Sequence, residues 1–263
     1  AFQDNPGVKL CAVVHADTST GVLQPLEEIS NIAKQHDALF VVDAVTSLGG
    51  IELKIDDWGI DACYSGTQKA LSCPPGLSPV TFNENAANVM SQRKTKVQSW
   101  YLDLSMIRNY WGKERVYHHT APINMIYGLR EALLIVKEEG LEGRFARHKL
   151  NSQAFISAIE AMGLSMVAPE GFRLPTLNAF KLPQGVDDAK GRKFLLEKYG
   201  IEVGAGLGDF KGKVWRVGLM GESSRRKYVM LVLCAIADVL RQQGYEANVG
   251  AALEAAMEVY NRQ

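Results

Sequence analysis

Hydrophobic and polar positions alternate between two rhythms along the first half of the chain. "KLCAVVHA" (residues 9–16) is an unbroken apolar run and predicts a buried strand. "QPLEEISNIAKQHD" follows with helical spacing: Leu26, Ile29, Ile32 and Ala33 share one face. Pro25 suits its first turn, and Glu27 and Glu28 suit its positive end. "ALFVVDAV" (38–45) is a second apolar strand, "IDACYSG" (60–66) a third and "SPVTFN" a fourth. Strand, helix and strand in this order predict a βαβ unit, with parallel strands covered on both faces. A long helix is predicted after "HHTAP", with Thr120 as N-cap and Pro122 in the first turn. Ile123, Ile126, Leu129, Leu133 and Val136 form its apolar stripe, and Gly140 stops it.

Beyond Gly140 the rhythm changes. A helix over "LEGRFARHKLNSQAFISAIEAMG" precedes a strand "TLNAFKL", a helix "DAKGRKFLLEKYG", strands "IEVGAG" and "KVWRVGLM", and a helix "SRRKYVMLVLCAIADVLRQQG". This is an α+β pattern. The expected fold is therefore α/β, with a mostly parallel sheet in residues 1–139 and a small α+β domain in residues 140–263.

Composition narrows the partners. The chain has 263 residues, 47% hydrophobic and 22% charged, with 29 basic and 29 acidic side chains. A formal charge of zero offers no electrostatic reason for nucleic acid or an anionic membrane as partner. Four cysteines (Cys11, Cys63, Cys73, Cys234) form no CxxC pair and no zinc spacing. Three lie in apolar runs, which suits a reducing intracellular compartment: the cytoplasm first, with peroxisome or mitochondrion as alternatives. The start "AFQDNPGVKL" has neither an apolar signal core nor an initiator Met and enters a strand at once, so the expectation is a longer parent.

The chemistry collects where the strands end. Ligands of open parallel sheets bind beyond the strands' carboxyl ends. The first strand runs into "HADTSTG", the second ends at Asp43, and the third delivers Lys69 through "SGTQK". Lys69 is either a solvated loop residue or a nucleophile at the mouth of a site. Asp43 is either a turn-forming cap or a buried partner. Together they suit pyridoxal 5'-phosphate: the amine condenses with the aldehyde, and the carboxylate pairs with the pyridine nitrogen. A simple Asp–Lys ion pair would not need the small polar collar around the lysine. His118 and His119, adjacent and without a carboxylate or thiol cluster, make poor zinc ligands. His15 reads as a hydrogen-bonded structural residue, "GAGLG" (204–208) as a turn, and "RRK" (225–227) as a solvated helix start.

The stretches "HADTSTGVLQPL", "VVDAVTSLGG", "GIDACYSGTQKAL", "VYHHTAPI", "RLPT" and "GKVWRVGLMG" closely resemble the alanine–glyoxylate and serine–pyruvate aminotransferases, class V members of the fold-type I pyridoxal-phosphate enzymes. The resemblance covers the chain in order. It implies that residues 1–139 are the C-terminal part of a cofactor-binding large domain, and it assigns roles. Lys69 would be the Schiff-base lysine and Asp43 the partner of the ring nitrogen. Val45 would pack on the ring, Thr18 would stand where the family has a serine near the cofactor, and Gln68 would contact the phosphate. Tyr117 and Thr120 would reach the phosphate of the neighbouring subunit of a homodimer. Arg216 would bind the substrate carboxylate with a two-pronged guanidinium; as a core-edge residue it would instead pair with a protein carboxylate. The family's chain begins before Ala1 and there carries a phosphate loop, a ring-stacking aromatic and much of the substrate entrance.

The expected reaction moves an amino group from a small amino acid, alanine or serine, to a 2-oxo acid, glyoxylate first. Rival expectations are another class V reaction, a lyase or a desulfurase, and a dimerising fragment without catalysis. A desulfurase needs a mobile, exposed cysteine late in the chain; Cys234 sits instead in the apolar helix "YVMLVLCAIADVL".

Overall fold

The computed structural model describes residues 1–262. Elements follow in the order β1 (Leu10–Val14), α1 (Leu26–Gln35), β2 (Leu39–Asp43), β3 (Ala62–Tyr64), β4 (Val80–Phe82), α2 (Glu84–Ser91), α3 (Leu104–Trp111), α4 (Ile123–Glu139), α5 (Leu141–Ala161), β5 (Leu177–Lys181), α6 (Asp188–Tyr199), β6 (Gly204–Ala205), β7 (Val214–Gly218), α7 (Arg226–Gln242) and α8 (Val249–Asn261). Helices α2, α3 and α8 were not anticipated above; α2 and α3 have only 8 residues each, whereas α8 has 13 and packs Ala252 and Ala256 into the second core.

The first sheet has the order β1-β2-β3-β4. β1, β2 and β3 are parallel, and β4 is antiparallel to β3. Each expected strand exists but is shorter, because the polar residues at its ends turn the chain. One face packs Phe40, Val42 and Cys63 against Leu26 and Ala33 of α1, with Cys11 and Val13 at the edge. The opposite face carries Leu10, Val14, Tyr64 and Val80, all exposed. The expectation of strands covered on both faces is therefore corrected: no element of the described residues covers this second face, so alternate residues of β1 stay open.

The second sheet has the antiparallel order β5-β7-β6. It packs with α5, α6, α7 and α8 around Phe155, Phe180, Trp215, Leu233 and Ile236. Gly140, with φ +77°, separates α4 from α5. That dihedral lies in a region L side chains rarely adopt, so the break needs glycine.

Helix α4 departs from expectation twice. Pro122, not Thr120, occupies the N-cap, since the helix begins at Ile123; the Thr120 hydroxyl lies instead 3.1 Å from that of Tyr117. Its apolar stripe is also turned outward: Ile123, Ile126 and Leu133 are exposed, and only Ala132 and Val136 are buried. The accessible surface is 15351 Å². A compact monomer of this size exposes about 11,000 Å², so much apolar surface is left uncovered. No helix among the described residues is long and apolar enough to cross a membrane.

Candidate active site

Asp43 is the last residue of β2. Its Oδ1 accepts a hydrogen bond from the Val45 amide at 2.8 Å, an Asx turn that ends the strand. Val45 follows, half-buried, at the start of that loop. Asp43 pairs in register with Tyr64 at the end of β3. Residues in register point to the same side, and the Tyr64 hydroxyl donates to Asp43 Oδ2 at 2.9 Å. Burial, and then this hydrogen bond, raise the Tyr64 phenol above its ordinary value. On the strand's other face, burial reinforced by the Asp43 charge pushes the Cys63 thiol up to about 11, so that thiol stays protonated.

Lys69 lies on the loop beyond β3. Thr67 pins this loop, donating from Oγ1 to Pro74 O at 2.9 Å and accepting at its carbonyl from Cys73 N at 3.1 Å. Ser65 Oγ donates to Ala44 O at 2.9 Å and laces the loop to the one after Asp43. Lys69 is half-buried and makes no salt bridge among the described residues. The Asp–Lys ion pair weighed above is therefore absent there, and the amine remains available. Gln68 is exposed and lies over buried Gly66, where a Cβ would come within 2.8 Å of Gln68 Oε1.

Arg216 enters from β7 of the second sheet. Its Nε donates to Ala205 O and its Nη1 to Thr18 O, each at 2.7 Å. The guanidinium pairs with carbonyls rather than a protein carboxylate, and its remaining N–H groups are free for a planar anion. Thr18 sits in a turn built by Asp17, whose carboxylate accepts from the Ser19 and Thr20 amides at 3.1 Å. Burial raises the Asp17 carboxyl, but the hydrogen bond donated by the Thr20 hydroxyl, with these amide bonds, outweighs it and holds it below the usual range.

The structure thus gathers Asp43 with Val45 and Tyr64, and Arg216 with Thr18, at one end of the first sheet. Tyr117 and Thr120 lie apart from these contacts. They sit on an exposed surface beside Tyr110, His118 and His119. His118 stacks on Trp100 at 4.1 Å between ring centres and bonds its Nδ1 to that of His119 at 2.8 Å. His15 is corrected: it is buried, yet its Nδ1 has no hydrogen-bond partner. Tyr64 has no role in the sequence reading; the signal there is only that it closes the strand-like run "IDACY" just ahead of "SGTQK", and its partnership with Asp43 needs the strand register. A cleft of about 590 Å³ opens elsewhere, behind the Lys69 loop, between Leu71, Ser72, Glu139 and Arg144. Neither Asp43 nor Lys69 is among the residues that line it.

An acid and a free lysine at the carboxyl ends of neighbouring parallel strands, backed by a separate antiparallel sheet, place the chain in the fold-type I pyridoxal-phosphate class, to which the solved structures it superimposes on belong. Within that class, residues 3–209 match the family "Aminotransferase class-V", and the chain belongs to it. A curated (S)-ureidoglycine–glyoxylate transaminase of Bacillus subtilis is 40% identical over 96% of this chain and 65% of its own length. A crystal structure of a ureidoglycine–glyoxylate aminotransferase from that organism gives a TM-score of 0.94 at 41% identity, over 99% of this chain and 67% of that one. An alanine–glyoxylate aminotransferase from Nostoc sp. gives 0.88 at 46% identity, over 91% and 63%. A pyridoxamine–pyruvate aminotransferase from Mesorhizobium loti gives 0.93 at 30%, over 99% and 67%. The chain spans 57–65% of the length of the curated relatives it matches.

Proposed function

We propose that this chain carries the lysine, the acid and the carboxylate-binding arginine of a pyridoxal-phosphate aminotransferase, acting between a small amino acid and glyoxylate. The observation that carries the reading is the placement of a turn-locked Asp43 carboxylate at the end of β2 and of Lys69 on the loop that leaves the neighbouring parallel strand β3. The names of the relatives, two of them glyoxylate enzymes, support the acceptor.

The donor set fits the cofactor. Asp43 uses one lone pair of each oxygen on Val45 and Tyr64 and keeps another on each for a ring N–H. When bound, pyridoxal 5'-phosphate supplies an aldehyde that captures amines and a ring that withdraws electrons from the substrate Cα. Lys69 would hold it, with Gln68 and the Thr18 hydroxyl beside it and Val45 against the ring. Released by the incoming amino acid, Lys69 Nζ would be the base that takes the Cα proton. Arg216 would hold the substrate carboxylate through its unused N–H groups.

The site is completed, on this reading, in a homodimer. Tyr117 is 72% exposed, and the outward stripe of α4 adds Ile123, Tyr127 and Leu133 to the same uncovered surface. Polar groups just ahead of a helix N-terminus are well placed to meet a partner's phosphate. Residues 1–139 form the cofactor-binding part and residues 140–263 the small domain. Cys234 is half-buried within α7, which does not suit a desulfurase thiol.

Borohydride reduction of the cofactor-loaded protein, followed by peptide mapping, should place the label on Lys69. Lys69→Ala should abolish transamination with every donor in an alanine, serine and ureidoglycine panel. A label on another lysine, or turnover by the variant, would remove the reading. Sedimentation should give a dimer that Ile123→Asp weakens.

A further inference from the structure

Helix α5 turns a polar face inward. Arg144, Arg147, His148 and Asn151 follow the i, i+3, i+4, i+7 spacing of one helix stripe. Such a stripe is ordinarily solvated, but here Arg144 is 3% exposed and His148 0%. The stripe is held inside by backbone groups of three loops.

Arg144 Nε donates to Gly49 O at 2.8 Å, and its Nη2 donates to Ala70 O. Gly49 belongs to the loop that leaves Asp43, and Ala70 is the neighbour of Lys69. Nη1 pairs with Glu139 at 2.6 Å, which balances the buried charge. Arg147 donates to the carbonyls of Gly221 and Ser224 at 2.8 and 2.6 Å. His148 donates from Nδ1 to Arg144 O at 2.7 Å, so its Nε2 is the acceptor for the Gly221 amide at 2.9 Å. Gly221 follows the strand that carries Arg216.

We propose that Arg144 is a positioning residue, whose guanidinium sets the separation of the loop after Asp43 from the loop that carries Lys69. The role rests on the reading of those two residues as partners of one cofactor. Beyond the strand ends the loops pack tightly: a Cβ on Gly50 would lie 2.9 Å from Ala70 Cβ. Packing of that kind sets a closest approach but does not fix direction. A planar fork with donors at fixed angles does, because moving either carbonyl breaks a charge-assisted bond in a dry interior. An ammonium in the same place is a point charge and cannot hold both carbonyls in one plane.

The test uses the full chain with Arg144→Met and Arg144→Lys. In the cofactor-free protein, amide exchange at Gly50, Ile51, Ser72 and Cys73 should quicken by about tenfold or more in both variants. Amides in the core of α7 should be unchanged. With cofactor, kcat should fall by about tenfold or more, while KM for the amino acid held by Arg216 stays within about twofold. Uniform acceleration that includes α7 would mean global destabilisation and would overturn the proposal. So would full rescue by Arg144→Lys, or a loss of kcat without the local exchange change. Local acceleration in a protein whose wild type transaminates nothing would uphold the positioning role and defeat the functional reading alone.

Discussion

The guanidinium of Arg216 donates to the carbonyl of Thr18 at 2.7 Å, although the two residues stand 198 positions apart. One comes from the second sheet and the other from the loop after the first strand of the first. This bond, with the one to Ala205, fixes the plane of the fork before any substrate arrives. Preorganisation of that kind lowers the ordering cost of binding. Arg216→Lys should therefore lose about 2–4 kcal/mol in kcat/KM, roughly 30- to 1,000-fold. The loss should appear for the amino acid and the oxo acid alike, since both present a carboxylate. Steady-state kinetics with each substrate varied in turn checks it, and a loss confined to one of them would contradict the role.

Asp43→Asn tests the charge with little change of shape. The side-chain oxygen can still accept from Val45, so the turn should survive. A neutral amide cannot balance a protonated ring nitrogen. kcat should fall by about 10²–10³-fold while the melting temperature changes little. Tyr64→Phe removes only a hydrogen bond to the same carboxylate at an exposed position and should cost kcat far less. Equal losses in the two variants would show that Tyr64 takes a more direct part.

Acid should weaken the fold in two stages. Burial pushes the imidazoles of His148 and His15 down to about 4, from an ordinary 6.5. For a depressed histidine the unfolded chain binds the extra proton. The stabilisation is thus complete above about pH 6.5 and is lost as pH falls towards 4, by on the order of 3 kcal/mol for each ring. Glu139 titrates lower. Its bond from Arg147, helped by Arg144, holds it at about 2 despite partial burial, so its contribution disappears between about pH 4.5 and 2. Urea midpoints measured across this range should slope from pH 6.5 downward, and His148→Asn should flatten roughly half of the upper slope. A midpoint constant between pH 6.5 and 4.5 would refute the assignment.

Asp43 and Lys69 could be picked out because each is a charged residue at the end of an apolar run, a pattern visible without knowing any contact. Arg216 stood out as a charge inside the otherwise apolar run "VWRVGLM". Arg144 and His148 could not be found that way. "LEGRFARHKLN" reads as a solvated helix, and what buries it are carbonyls 74 and 95 positions away. The stripe of α4 failed in the opposite sense: its spacing marks a face that needs covering, and among the described residues only its C-terminal end at Val136 is buried while Ile123, Ile126 and Leu133 stay exposed. Periodicity identifies apolar faces but does not say which molecule, or which part of one, will meet them.

Gly221 offers the sharpest test of how the second half of the chain supports the lysine loop. Its φ is +54°, and a Cβ there would lie 1.7 Å from Ser72 Oγ and 2.9 Å from Ala70 O. Ser72 itself has φ +58°, and its Oγ accepts from the Glu222 amide at 2.9 Å. Two left-handed residues thus interlock just past Lys69. Gly200 is the natural control, with φ +64° and nothing within 4 Å of the added carbon. Gly200→Ala should cost only the conformational penalty, about 1–2 kcal/mol, and leave kcat unchanged. Gly221→Ala should cost about 1–3 kcal/mol more through crowding and should lower kcat, because the displaced residues flank Lys69. Adding Ser72→Gly relieves the clash and suits that residue's own dihedral. The double variant should regain much of the stability despite the lost bond to Glu222. If it regains stability without kcat, the Ser72 hydroxyl itself holds the lysine loop in register; if Gly221→Ala leaves kcat at the wild-type value, the two halves of the chain are not coupled through this contact.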